Sequence, residues 1–183
     1  MLTKKMYIGG KLVDGKSEFD VVNPATDQVV GRVAWAGAEH AEAALKAADE
    51  AFESWSRTPL AERIDWMLKL HDEVIKEEEH LRECIHLEMG KSWAGTQEDF
   101  ENLRDALQFY AEEMPRFRPE VLIDKAGTHH HTIQYEPVGV VAAFLAWNFP
   151  LLNLAYKIAP AMATGCPIVI KPSSKSPISA YAV

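Results

Sequence analysis

The chain has 183 residues and a mass of 20.5 kDa, which suits one domain or one domain with an appendage and is too short for two full enzyme domains. Its 48% hydrophobic and 25% charged residues argue against a disordered, collagen-like or disulfide-stapled protein. A net charge of −8 repels phosphate backbones and anionic lipid headgroups, so neither nucleic acid nor a membrane surface is an expected partner.

The sequence contains two cysteines, Cys84 and Cys166, in mostly apolar surroundings, which predicts neither a disulfide framework nor a paired-cysteine metal motif. The consecutive histidines 129–131 alternate faces in a strand and cannot all reach one ion, so we expect no metal site. The amino terminus lacks the apolar core of a signal peptide, and the longest apolar stretch is about half a membrane span. We therefore expect a cytoplasmic protein.

Short strand candidates separated by turn residues open the chain and predict a small antiparallel meander of Met6–Ile8, Phe19–Val22 and Val29–Val33. Apolar residues then recur at intervals of three and four positions, the period of one helical face. This pattern predicts four helices before residue 118, with apolar stripes over residues 41–55, 60–75, 81–87 and 100–114.

Residues 120–136 alternate again around a turn that contains Gly127, which predicts a polar β-hairpin. A two-stranded hairpin is marginally stable alone, so we expect it to pack elsewhere, plausibly on another subunit.

An apolar run from Val138, a helix-like stretch over 151–164 and a second apolar run over 167–170 predict a βαβ unit of an open α/β sheet. Ligands of such sheets bind outside the carboxyl ends of the strands, here residues 146–150 and 171–174. Ser176 is a favourable N-cap for a last helix over 177–183, which has no C-cap of its own. Because two apolar strands and so few helices cannot cover both sheet faces, we expect a truncated chain.

Six short motifs in fixed order carry a resemblance to the aldehyde dehydrogenase superfamily over essentially the whole chain. They are Ile8-Gly9-Gly10-Lys11, Val22-Asn23-Pro24-Ala25-Thr26, Glu88-Met89-Gly90-Lys91, Glu136-Pro137-Val138-Gly139-Val140, Trp147-Asn148-Phe149-Pro150 and Ile170-Lys171-Pro172-Ser173.

The resemblance implies an α/β fold that is the amino-terminal part of a Rossmann-type cofactor domain, with leading helices and a protruding β-hairpin. Residues 1–118 and 137–183 would form part of the dinucleotide-binding domain and residues 119–136 the oligomerisation hairpin, with the catalytic domain outside this chain. It further implies oxidation of an aldehyde to a carboxylic acid with NAD+ or NADP+, by a cysteine nucleophile and a glutamate base. Neither group has a match here, so the chain alone is expected to be inactive, and its parent is expected to be a homo-oligomer.

The resemblance also assigns roles to individual residues. Asn148 would donate to the developing oxyanion, although an asparagine before Pro150 could instead cap the following helix. The cofactor would lie against Leu145, Ala146, Trp147, Lys171, Ser173 and Ser174, and the substrate tunnel against Phe149, Leu152 and Asn153. Ser174 stands where the family commonly has glutamate, which leaves the choice between NAD and NADP open, and Ala146 replaces a common proline.

Two other functions fit the same residues. The chain could be a non-catalytic remnant that binds nucleotide or mediates assembly. The parent could instead belong to the branch of the family that transfers the acyl group to coenzyme A.

Overall fold

The computed structural model describes residues 2–183 and begins with two small sheets. In the first, β1 (Leu2–Lys4) runs parallel to β5 (Val29–Trp35), which pairs antiparallel with β4 (Ser17–Val22). In the second, β2 (Met6–Ile8) pairs antiparallel with β3 (Lys11–Val13). The predicted meander is correct in the antiparallel pairing of β4 with β5 and wrong for β2, which pairs with β3 across the Gly9-Gly10 turn rather than with β4. Strand β1 was not predicted.

Four helices follow, as the apolar periodicity predicts: α1 (Ala38–Trp55), α2 (Leu60–Lys76), α3 (Glu78–Met89) and α4 (Trp93–Glu113). A 3-10 turn over Met114–Arg116 extends α4. Helix α3 ends at Gly90, whose φ of +66° is the left-handed conformation that glycine adopts without steric cost.

The predicted hairpin forms from β6 (Glu120–Ile123) and β7 (His130–Ile133). All eight residues of the two strands are exposed, so the hairpin buries little against the rest of the chain. Asp124 accepts hydrogen bonds from the backbone N–H groups of Ala126, Thr128 and His129 and so orders the turn.

The predicted βαβ unit is present as β8 (Val141–Phe144), α5 (Pro150–Thr164) and β9 (Ile168–Lys171), with β8 and β9 parallel. A short helix, α6 (Ile178–Ala182), ends the described chain. The mixed α/β class expected from the sequence is thereby confirmed.

The main core lies where α4 packs against α2, α3 and α5, and a second cluster joins the first sheet to α3 and α6. Ala143 and Leu145 contribute to the buried side of the β8 segment, whereas Phe144 is 74% exposed on the opposite side. Among residues 2–183, none of the helices combines the length and apolar character needed to cross a bilayer.

Candidate active site

The carboxyl ends of β8 and β9 bring two loops to one edge of the parallel pair. Phe144 lies opposite Lys171 in the register, and the Leu145 N–H continues the ladder by donating to the Lys171 carbonyl over 3.1 Å. The first loop, residues 146–149, leads into α5, and the second, residues 172–177, leads into α6. The structure thus gathers the predicted site residues at the edge where open α/β sheets bind ligands.

Asn148 lies in the first loop with an exposed side chain. The N-cap position of α5 is Phe149, and no side chain at that position makes a capping hydrogen bond. Within residues 2–183, no hydrogen bond engages the Asn148 carboxamide, so this side chain does not cap α5. Its amide donor is available to a ligand.

The first turn of α5 is instead bonded by Asp99 of α4, which is completely buried. One carboxylate oxygen accepts from the Leu152 N–H over 2.8 Å, and the other accepts from the Lys91 Nζ over 3.1 Å. The Lys91 Nζ also lies 3.7 Å from the centre of the Phe149 ring, within range of a cation–π contact. Burial raises the pKa of Asp99, and the hydrogen bonds from Leu152 and Lys91 oppose that rise.

Sequence reasoning missed this cluster. Lys91 belongs to the Glu88-Met89-Gly90-Lys91 motif, but nothing in the sequence indicated what its side chain contacts. Asp99 carries no local signal, because Leu152, whose N–H it accepts, is 53 residues away in the chain. Only the packing of α4 on α5 brings the two together.

Lys171, at the end of β9, and Ser174, in the second loop, both have exposed side chains. The Lys171 Nζ donates to the Pro172 carbonyl over 3.1 Å, and the Ser173 hydroxyl accepts from the Lys175 N–H over 3.2 Å. Lys171, Ser173 and Ser174 share a cavity of about 150 Å³ with the aromatic rings of Phe19, Trp35 and Tyr181. A cation, hydroxyl groups and aromatic surface are therefore available side by side.

The two loops contact each other through Trp147. The Ser176 hydroxyl donates to the Trp147 carbonyl over 2.8 Å, and the Lys175 Nζ lies 5.4 Å from the centre of the Trp147 ring. A cavity of about 410 Å³ lies beside this contact and is lined in part by Trp147, Ser174, Lys175 and Glu88. The prediction that Ser176 caps the last helix is wrong, because its hydroxyl is used to join the loops.

Glu88, at the end of α3, caps α6 instead of Ser176. Its carboxylate accepts from the Ile178 N–H over 2.5 Å, and from both the Ser179 N–H over 3.1 Å and the Ser179 hydroxyl over 2.5 Å. The side chain is 1% exposed, and this burial raises the pKa of Glu88 to about 7 although the three donors oppose the rise.

Leu145, Leu152 and Asn153 each have one group that is buried or already bonded, whereas, within residues 2–183, Ala146 does not. The Leu145 side chain lies in the core, so only its main chain faces the edge. The Leu152 N–H is engaged by Asp99, and the Asn153 side chain donates to the Phe149 carbonyl over 2.8 Å. Ala146 is exposed in the first loop.

Both cysteines are buried, and burial raises the pKa of Cys84 to about 11, which disfavours its thiolate. Among the described residues, no group of three His, Cys, Asp or Glu side chains is arranged to hold a metal ion.

Residues 12–183 match the sequence model of the aldehyde dehydrogenase family. The chain is 33% identical over 185 residues to 3-sulfolactaldehyde dehydrogenase of Pseudomonas putida, a match that covers all of this chain and 38% of that protein. It is 34% identical over 179 residues to the NADP(+) succinate-semialdehyde dehydrogenase of Saccharomyces cerevisiae, covering 97% of this chain and 36% of that protein.

A crystal structure of betaine aldehyde dehydrogenase from Staphylococcus aureus in complex with NAD+ superposes with a TM-score of 0.92 at 32% identity. The superposition covers 99% of this chain and 37% of that chain. The chain therefore spans little more than a third of the length of the relatives it matches.

Proposed function

The chain belongs to the aldehyde dehydrogenase family, and we propose that it is the amino-terminal part of an enzyme that oxidises an aldehyde to a carboxylic acid with NAD+ or NADP+. The observation that carries the proposal is the free carboxamide of Asn148. It lies at the carboxyl edge of the βαβ unit, next to the loop with the exposed Lys171 and Ser174.

The proposed chemistry needs a donor where Asn148 lies. A thiolate attacks the aldehyde carbon, and the carbonyl oxygen gains negative charge as the carbon–sulfur bond forms. An N–H donor already in place at that oxygen stabilises the charge without reorganisation, and one such donor contributes roughly 3–4 kcal/mol to the transition state. When bound, NAD+ or NADP+ would supply the hydride acceptor for that carbon, and hydrolysis of the resulting thioester would give the acid and free the thiolate.

We place the nucleophile and the general base in the remainder of the enzyme. Cys84 and Cys166 are buried in this chain, and the raised pKa of Cys84 is opposite to what a nucleophile needs. By this reasoning the 183 residues alone do not turn over an aldehyde.

We propose that the second loop binds the adenosine ribose, with Lys171 as the donor to its hydroxyls and Ser173 and Ser174 beside it. The exposed ammonium and hydroxyl groups around the 150 Å³ cavity support this role. Leu145 and Ala146 would contact the cofactor through the main chain, and Trp147 through its exposed ring. The relatives include an NADP(+) enzyme and a structure with NAD+, so either cofactor is compatible with the family.

We propose that Phe149, Leu152 and Asn153, all half-buried, line the substrate tunnel. We further propose that residues 119–136 pair with another subunit, since their apolar side chains, such as Val121 and Ile123, are exposed. Sedimentation velocity of the enzyme with and without that hairpin tests this pairing between subunits.

We propose a cytoplasmic location from the two unpaired cysteines, and cell fractionation tests it.

The proposal is tested by expressing the full-length protein that carries this chain and measuring NAD(P)H formation with a panel of aldehydes and semialdehydes. The proposal predicts reduction of NAD+ or NADP+ that depends on the aldehyde and yields the free acid without coenzyme A. An absolute requirement for coenzyme A would assign the protein to the acyl-transferring branch. Absence of reduction with every aldehyde would favour the non-catalytic alternative.

A further inference from the structure

We propose that Asp99 is a positioning residue that holds the Asn148 loop in its reactive arrangement through Leu152, Lys91 and Phe149. This inference rests on the proposed function, because it assigns Asp99 a part in aldehyde oxidation without any contact with substrate.

The geometry singles out Asp99 as the attachment of this loop to the helical core. The Asn148 carboxamide has no partner within residues 2–183, so its direction depends on the backbone on either side of it. On the amino-terminal side, the Trp147 carbonyl is fixed by the Ser176 hydroxyl. On the carboxyl-terminal side, the first turn of α5 is fixed by the bond from the Leu152 N–H to Asp99.

Through Lys91, the same Asp99 carboxylate also acts on Phe149, within the loop. Its Nζ is held by Asp99 at 3.1 Å and lies 3.7 Å from the centre of the Phe149 ring, the residue that directly follows Asn148. One buried carboxylate thus fixes both the ring beside Asn148 and the helix that follows it. A charged group with no exposed surface is retained only where its partners compensate the loss of hydration. Here one partner lies in the helix that follows the loop, and the other contacts a residue of the loop.

Substitution Asp99→Asn preserves the shape and one acceptor for the Leu152 N–H but removes the negative charge that holds Lys91. If Asp99 acts through Asn148, its loss should matter only while Asn148 is present. A double-mutant cycle on kcat in the full-length enzyme separates this from a general loss of stability.

In the otherwise unchanged enzyme, Asp99→Asn is expected to lower kcat at least about tenfold while the KM for the cofactor changes less than about twofold. In the Asn148→Ala background, the same substitution should change kcat less than about twofold. Glu88→Gln is the matched control, because it also removes a buried helix-capping carboxylate but at α6, and it should lower kcat by the same factor in both backgrounds.

Equal factors for Asp99→Asn in both backgrounds, or an unchanged kcat, would overturn the inference while leaving the proposed function intact. An inactive parent enzyme would overturn the function itself. If Asp99→Asn does not fold, Lys91→Met provides the second test, because it leaves the Leu152 bond in place and should show the same dependence on Asn148 with a smaller loss of kcat.

Discussion

Ser174 presents a short, neutral side chain in the loop after β9, where it borders the same cavity as the Lys171 ammonium. Among the described residues, no Asp or Glu lines that cavity. Ser174 also lines the 410 Å³ cavity, where Asp20 and Glu88 are the carboxyl groups. In the proposed enzyme, we therefore expect the choice between NAD+ and NADP+ to depend on the neutral side chain at position 174.

Placing a carboxylate there by Ser174→Glu should weaken NADP+ relative to NAD+ by about 1–3 kcal/mol, the scale of a close, partly screened charge pair. The measurement is kcat/KM for each cofactor before and after the change. Ser174→Gln is the control, since it adds nearly the same volume without charge and should leave the ratio of the two values nearly unchanged. A ratio that Ser174→Glu fails to move would mean that Ser174 does not face the ribose.

Single residues also show why the site could be predicted only in part. The sequence placed Asn148 and Lys171 at the same sheet edge, because Asn148 comes after one strand and Lys171 ends the other, and both strands show as apolar runs. They could not locate Asp99, whose function arises from contact between helices α4 and α5. The local sequence predicted that Ser176 caps α6. The cap is instead Glu88, which accepts from the Ile178 N–H, 90 residues away in the chain.

The helices were predictable because burial of one face makes apolar residues recur with the helical period. The strands of the βαβ unit were predictable because burial of both faces gives continuous apolar runs. The amino-terminal strands were harder to predict, because a three-residue strand such as β1 has too few side chains to show alternation. It pairs in parallel with β5, a strand far away in the sequence, so no turn signal marks the pairing.

At the scale of elements, docking of α6 on α3 through Glu88 should depend on pH. The pKa of Glu88 is raised by burial to about 7 in the folded chain, whereas a solvated glutamate titrates near its ordinary value. The folded state therefore binds the proton more tightly, so the stability linked to Glu88 is complete below about pH 4.5 and is lost as the pH rises through about 7. The full effect is on the order of 3 kcal/mol, or roughly 300-fold in the opening equilibrium.

Hydrogen exchange of the Ile178 and Ser179 amides reports this opening directly. After division by the intrinsic rate at each pH, protection should fall as the pH rises from about 4.5 to 7 in the unchanged protein. In Glu88→Gln, which cannot ionise, the fall should be absent. Parallel profiles for the two proteins would show that Glu88 does not titrate in this range.

At the scale of the whole molecule, large apolar side chains remain uncovered around the parallel strand pair. Phe144 on β8 is 74% exposed and Val138 just before it is 89% exposed, while the hairpin leaves Val121 and Ile123 more than half exposed. Where several large apolar side chains are exposed in this way, we expect contact with another structure or a tendency to aggregate.

The isolated 183-residue chain should accordingly bind a hydrophobic dye such as ANS strongly or form aggregates, and the full-length enzyme should do neither. Fluorescence titration and light scattering on both proteins at equal molarity make the comparison. A monomeric chain with a sharp, cooperative thermal transition and no dye binding would contradict this prediction and would identify the 183 residues as a self-sufficient domain.

The most direct test of the account is the effect of Asn148→Ala on the full-length enzyme. Loss of the oxyanion donor should lower kcat roughly 100- to 1,000-fold and leave cofactor affinity nearly unchanged. Asn102→Ala is the control, because that half-buried asparagine donates to the Glu98 carbonyl on α4 and should keep kcat within about twofold. A kcat that Asn148→Ala leaves within twofold of the parent's would contradict the assignment of this loop as the place where the aldehyde oxygen binds.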